Sequence, residues 1–160
     1  MRQQASDRAG LITMKTIVKA FDELCTEELY QLLALRSEVF VVEQNCAYQD
    51  VDGKDQKALH LMGYENNLLV AYARIFPPGE YFDQAAVGRV VVKDTYRGKA
   101  LGVKVMNAAI DTIKEKYNTL EIALSAQTYL INFYKDLGFH PEGEEYLEDG
   151  IPHILMVKSS

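Results

Sequence analysis

The sequence predicts a mixed α/β domain. Period-two segments rich in β-branched residues alternate with segments whose apolar residues recur at helical spacing, in the order β, α, β, β, β, α, β, α, β. The chain has 160 residues, 48% of them hydrophobic, enough for one real core and too few for two ordinary domains. Breaks at Gln44 to Asp55, Asn66-Asn67 and Pro77-Pro78-Gly79 mark the joints.

Residues 1–13 are small and polar around Arg2, Asp7 and Arg8, with no apolar run of the signal-peptide kind. They are expected to form a disordered tail ahead of one domain spanning residues 14–160. Lys15 to Phe21 alternates as a first strand should. Thr26, followed by two acidic residues, is expected to cap a helix running to about Val42. Leu29, Leu32, Leu33, Val39 and Phe40 give that helix one apolar face, and Arg36 sits on it. Leu59 to Glu65 and Leu68 to Phe76 flank the Asn66-Asn67 turn as a hairpin. Ala86 to Lys93, with three consecutive valines after Gly88, predicts a strand buried on both faces near its end. Leu101 to Tyr117 is a second amphipathic helix, and Leu120 to Ala126 alternates as a strand. Tyr129 to Leu137 is a short helix closed by Gly138, and Ile154 to Lys158 is the last strand, after a hairpin turn at Glu148-Asp149-Gly150.

The formal net charge of -6 argues against nucleic acid as a partner, because phosphate binding needs a dominant basic surface, and favours a cationic or amine-bearing substrate. The two cysteines, Cys25 and Cys46, form no CxxC pair and no metal-ligand cluster, so neither a disulfide framework nor a metal site is expected, and a reducing cytoplasm is the default. No apolar run approaches the roughly 18 to 20 residues of a membrane span, so no membrane partner is expected. Asp50, Asp52 and Asp55 lack the spacing of a calcium loop, since Gly53 comes too early and Leu61 stands where the last carboxylate belongs. They are expected to shape a turn or to make an acidic rim that attracts a cationic amine.

Arg97-Gly98-Lys99-Ala100-Leu101-Gly102 lies between a strand and a helix, where backbone amides and the helix dipole favour an anion. Gly98 and Gly102 allow close approach to a diphosphate, Arg97 and Lys99 add cationic donors, and Tyr96 adds an aromatic edge. From spacing alone an ordinary strand-to-helix turn stands equally open.

Val90-Val91-Val92 followed by Tyr96-Arg97-Gly98-Lys99-Ala100-Leu101-Gly102 resembles motif A of the GNAT acyltransferases. Asn132-Phe133-Tyr134-Lys135-Asp136-Leu137-Gly138-Phe139 resembles their motif B, in the correct order. Leu35 to Gln44 and Tyr146 to Ile154 are similar to the ElaA-like branch of that superfamily. The resemblance implies a mostly antiparallel central sheet, splayed at an acyl-CoA site and flanked by helices. It implies an N-acyltransferase that moves acetyl from acetyl-CoA (coenzyme A) to a primary amine, small-molecule or peptide, by direct attack in a ternary complex. A homodimer is left open. In the family's pattern the valine strand pairs with the pantetheine arm through Val90 and Val92, and an amide at Val91 or Val92 stabilises the developing oxyanion. The turn from Arg97 to Gly102 holds the pyrophosphate. Ala100 departs from the family's first glycine there. Tyr134 matches the tyrosine set against the departing sulfur, with core packing as its alternative, and Asn132 and Lys135 match cofactor-side positions.

An amine of pKa about 10.4 must lose a proton before it can attack. His60, His153, Glu43 and Glu148 are the candidate bases, unranked by sequence. Arg36 and Glu43, seven residues apart on one helix face, suggest either a charge pair beside the pocket or a structural ion pair. Two other readings share these residues. One is a non-catalytic acyl-CoA-binding module. The other is an enzyme like the acyl-homoserine-lactone synthases, which the run Arg36, Phe40, Glu43, Gln44 also resembles and which takes S-adenosylmethionine.

Overall fold

The computed structural model describes residues 13–159, so the expected tail over residues 1–13 lies outside the described residues apart from Thr13. Seven strands form one sheet in the order β1-β2-β3-β4-β5-β7-β6. They are β1 (Lys15–Ala20), β2 (Leu59–Glu65), β3 (Leu68–Phe76), β4 (Ala85–Val92), β5 (Ile122–Gln127), β6 (His140–Glu148) and β7 (Ile151–Lys158). Every neighbouring pair is antiparallel except β4 and β5. The helices are α1 (Thr26–Arg36), continued by a π-helical segment over Ser37–Glu43, α2 (Leu101–Tyr117) and α3 (Ile131–Asp136).

The helices cover opposite faces. Successive strand residues point to opposite sides, so Met62, Leu69, Tyr72 and Val91 meet Leu32, Leu35 and Val39 of α1 and its extension. Leu61, Ala73, Ile75 and Leu124 meet Val105, Met106, Ala109 and Ile113 of α2. The apolar faces read from sequence are the ones buried.

The structure corrects four expectations. The first helix is α-helical only to Arg36 and widens into a π-helix beyond it, a change of backbone hydrogen bonding that apolar spacing does not register. Its N-cap is Cys25, whose N–H donates to Glu28 Oε1 at 2.9 Å, and Thr26 is the first helical residue. β6 was not expected. Residues 140–147 are exposed and polar around Pro141, with a register shift between Glu142 and Tyr146, so this edge strand exists through pairing with β7 and has no alternating pattern of its own. The valine strand is not buried on both faces: Val91 is buried and Val90 and Val92 are half-buried, for a reason that lies in the site.

Candidate functional site

β4 and β5 are paired only at Ala85 with Ile122 and Ala86 with Ala123, after which they diverge. A bulge in β4 follows the last pair. Arg89 and Val90 together oppose Ala73 of β3, and Arg89 takes the left-handed conformation, φ +51°. Beyond it, Val91 opposes Tyr72 and the Lys93 N–H donates to Val70 O at 2.7 Å. Planar peptides alternate along a strand. Val91's N–H and C=O therefore face β3, while the Val90 carbonyl and both Val92 groups face the edge that β5 has left. That edge borders a cavity of about 680 Å³.

The turn closes one end of the cavity. Gly98 (φ +78°) and Ala100 (φ +59°) are both left-handed, and Ala100 is the N-cap of α2 with no side chain capping the helix. The first amides of a helix have no intrahelical partner, so those of Leu101, Gly102 and Val103 are left to serve an anion. Arg97 donates Nε to Val92 O at 3.0 Å and pairs through Nη1 with Glu43 Oε2 at 2.6 Å. Arg97, Gly98, Ala100, Leu101 and Gly102 line the cavity, and Lys99 is exposed beside it. A Cβ on Gly102 would meet the Phe133 ring at 3.4 Å, which fixes how closely α3 lies to the turn.

Tyr134, on α3, lines the same cavity although only 6% exposed. Its ring stands edge-on to Phe133 and Phe139. Burial pushes its hydroxyl well above the usual tyrosine range, with the neighbouring Tyr129 adding to the rise. Asn132 and Lys135, on α3, are exposed and do not line the cavity.

The base candidates separate clearly. His60 is fully buried, with Nδ1 2.6 Å from the Tyr72 hydroxyl and Nε2 2.8 Å from Asp55 O, and it is not part of the cavity wall. It is a structural histidine. Glu43, Glu148 and His153 all line the cavity. His153 Nδ1 lies 2.7 Å from Ile151 O and Nε2 lies 3.3 Å from Glu148 Oε2.

Arg36 does not pair with Glu43. It is fully buried and donates Nε to Asp50 Oδ2 and Nη1 to Asp55 Oδ1, each at 2.8 Å. Arg74 holds Asp52 at 2.8 Å and Asp55 at 3.0 Å, and Arg89 donates Nε to Asp50 Oδ1 at 2.8 Å. The acidic-rim reading of the aspartates is thereby overturned: three carboxylates and three guanidiniums neutralise one another behind the β4 bulge. Sequence reasoning missed Arg74 and Arg89. The available signal was a charged residue inside each of two apolar strands, which implies a buried partner.

The family pattern for the acetyltransferase (GNAT) domain matches residues 20–160. The chain belongs to the GNAT acetyltransferases. Protein ElaA of Escherichia coli K12 is 44% identical over 138 residues, covering 85% of this chain and 90% of ElaA. The crystal structure of E. coli ElaA superposes with a TM-score of 0.86 over 92% of this chain and all of that one. An acyl-CoA N-acyltransferase from Pseudomonas aeruginosa superposes with a TM-score of 0.87 at 40% identity, over 92% of this chain and 100% of its own. The CoA-dependent acyl-homoserine lactone synthase BjaI, at 18% identity and a TM-score of 0.72 over 92% of this chain and 82% of its own, shares the fold. The mostly antiparallel sheet that parts between β4 and β5 is thus the GNAT fold, and the family binds acyl-CoA. The residues present suit such a donor: a strand edge that β5 leaves beyond Ala86 leads to a helix N-terminus with no side-chain cap, flanked by Arg97.

Proposed function

We propose that this GNAT enzyme works in the cytoplasm and transfers acetyl from acetyl-CoA to a small-molecule or peptide primary amine, by direct attack while both substrates are bound. The observation that carries the reading is the edge of β4 that β5 leaves beyond Ala86, which faces a cavity between the α2 N-terminus and Tyr134. The Val90 carbonyl would accept from an amide of the pantetheine arm as a neighbouring strand's would. The amides of Leu101, Gly102 and Val103, with Arg97 and the neighbouring Lys99, would hold the pyrophosphate.

The Val92 amide is the group for the developing oxyanion, because strand alternation commits Val91's amide to β3. Arg97 must release Glu43 or share it when phosphate arrives, so Glu43 keeps the guanidinium oriented beforehand. Tyr134 serves by hydrogen bonding. Its buried hydroxyl holds its proton more tightly than an ordinary tyrosine, so donating a hydrogen bond to the departing sulfur is favoured over giving up the proton.

The test is a thiol-release assay. Purified protein given acetyl-CoA and a panel of amines should release free thiol only when an accepted amine is present. Thiol release from no amine would favour the non-catalytic binding module, and release that required S-adenosylmethionine would favour the lactone-synthase reading.

A further inference from the structure

His153 is held in one tautomer by its surroundings. Its Nδ1 lies 2.7 Å from Ile151 O, and a carbonyl can only accept, so Nδ1 carries the hydrogen. The neutral ring then has its lone pair on Nε2. That nitrogen lies 3.3 Å from Glu148 Oε2, another acceptor, with no proton between them in the neutral state. A proton at Nε2 would sit beside the Glu148 carboxylate, whose negative charge stabilises it. The ring lies flat against Tyr146, with centroids 6.2 Å apart and planes 22° apart, and the Tyr146 hydroxyl is bonded to Ser125 Oγ on β5. Ser125, Glu148 and His153 all line the cavity that Tyr134 and the free β4 edge also line.

The other candidates are committed elsewhere. His60 uses both ring nitrogens in the core, and Glu43 lies 2.6 Å from Arg97, at the turn end of the cavity where the pyrophosphate would sit. The titratable groups around His153 are Tyr146 and Glu148 on β6, Asp149 in the turn and, from the π-helical segment and the loop after it, Glu43 and Cys46. Across the cavity Arg89 is held by Asp50.

We infer that His153 is the general base, accepting the acceptor amine's proton at Nε2, with Glu148 as the positioning residue that stabilises the resulting imidazolium. The inference rests on the amine-acetyltransferase reading. The substrate ammonium gives one proton to Nε2, and the freed lone pair forms the C–N bond at the thioester carbonyl as the C–S bond breaks. One of the two remaining N–H protons is lost as the amide forms, the sulfur leaves as thiolate and gains a proton, and the imidazolium returns its proton to solvent. Each turnover releases one proton.

His153→Gln keeps a polar side chain and removes the base. With a strongly basic amine at pH 7, kcat/KM should fall about 100-fold or more, while KM for acetyl-CoA stays unchanged. With an acceptor already neutral at pH 7, such as a trifluoroethylamine, the loss should be far smaller. The acid limb of the wild-type pH profile should vanish in H153Q, and Glu148→Gln should lower kcat/KM with the basic amine while sparing the neutral one. Equal losses with both amine classes, or an acid limb that survives in H153Q, would overturn the assignment. Nitrogen-15 NMR of the imidazole supplies a readout that needs no turnover: Nδ1–H is expected, and Nε2–H would overturn it even if no acceptor is known. A wild-type enzyme that acetylates no amine would instead sink the reading beneath it.

Discussion

Ala100 holds a left-handed conformation at the N-cap of α2, which costs a residue bearing a Cβ roughly 1 to 2 kcal/mol. The sequence singled it out as the departure from the family's glycine, and the backbone shows why a glycine fits there. Ala100→Gly is expected to stabilise the protein by about 1 kcal/mol, read as a higher urea midpoint at unchanged slope. A lower midpoint would contradict the strain. Tyr134→Phe keeps the ring against Phe133 and Phe139 and loses the hydroxyl. Turnover should fall roughly 10- to 100-fold, the worth of a hydrogen bond to a charged group, with KM for acetyl-CoA unchanged. Undiminished turnover would return Tyr134 to its packing role.

At the scale of elements, the β4 bulge depends on charges that no local pattern explains. Arg89 adopts φ +51° while its guanidinium is held by Asp50 Oδ1 and the Asp50 carbonyl, at 2.8 and 3.1 Å. Asp50 also accepts from buried Arg36. Asp50→Asn therefore leaves two guanidiniums short of a carboxylate, and removing one partner from a buried ion network costs about 3 to 5 kcal/mol. Because the same bulge directs the Val90 and Val92 groups away from β3, KM for acetyl-CoA should rise together with the loss of thermal stability. A variant that lost stability with an unchanged KM would separate the network from the donor edge.

Across the molecule, acid should unfold the protein in two stages. Burial pushes the His60 imidazole below its ordinary value, so the unfolded chain binds a proton that the folded one refuses. Stability is therefore full above pH 6.5 on this account and declines as the pH falls below it. Asp52 titrates lower. Burial would raise its carboxyl, but the hydrogen bonds and charge of Arg74 win and hold it down to about 2 from an ordinary 3.8. Its contribution is present above pH 4 and lost as the pH falls towards 2. Urea midpoints measured from pH 7 to pH 2 should fall in both windows, and His60→Gln should flatten the upper one. A flat profile from pH 6.5 to 4.5 in the parent protein would contradict the burial of a neutral His60.

Element type and order were legible in the sequence because burial on one face leaves a period of two or of 3.6 in the chain. The hairpin over β2 and β3, α2, and the turn from Arg97 to Gly102 all follow from such local patterns. The cavity and the residues brought together on its wall did not follow. The parting of β4 from β5, the pairing that makes β6 a strand, and the closure of three aspartates on three arginines are contacts between distant segments. Asn132 and Lys135 belong to an intact motif and are exposed outside the cavity wall. The four candidate bases had equal standing as residue types. What distinguishes His153 is the Ile151 carbonyl at one ring nitrogen and Glu148 at the other. The sequence determined which chemistry was present, through residue types and local periodicity; only the tertiary structure decided which groups are free to use it, because hydrogen-bond partners and burial are set by segments far apart in the chain.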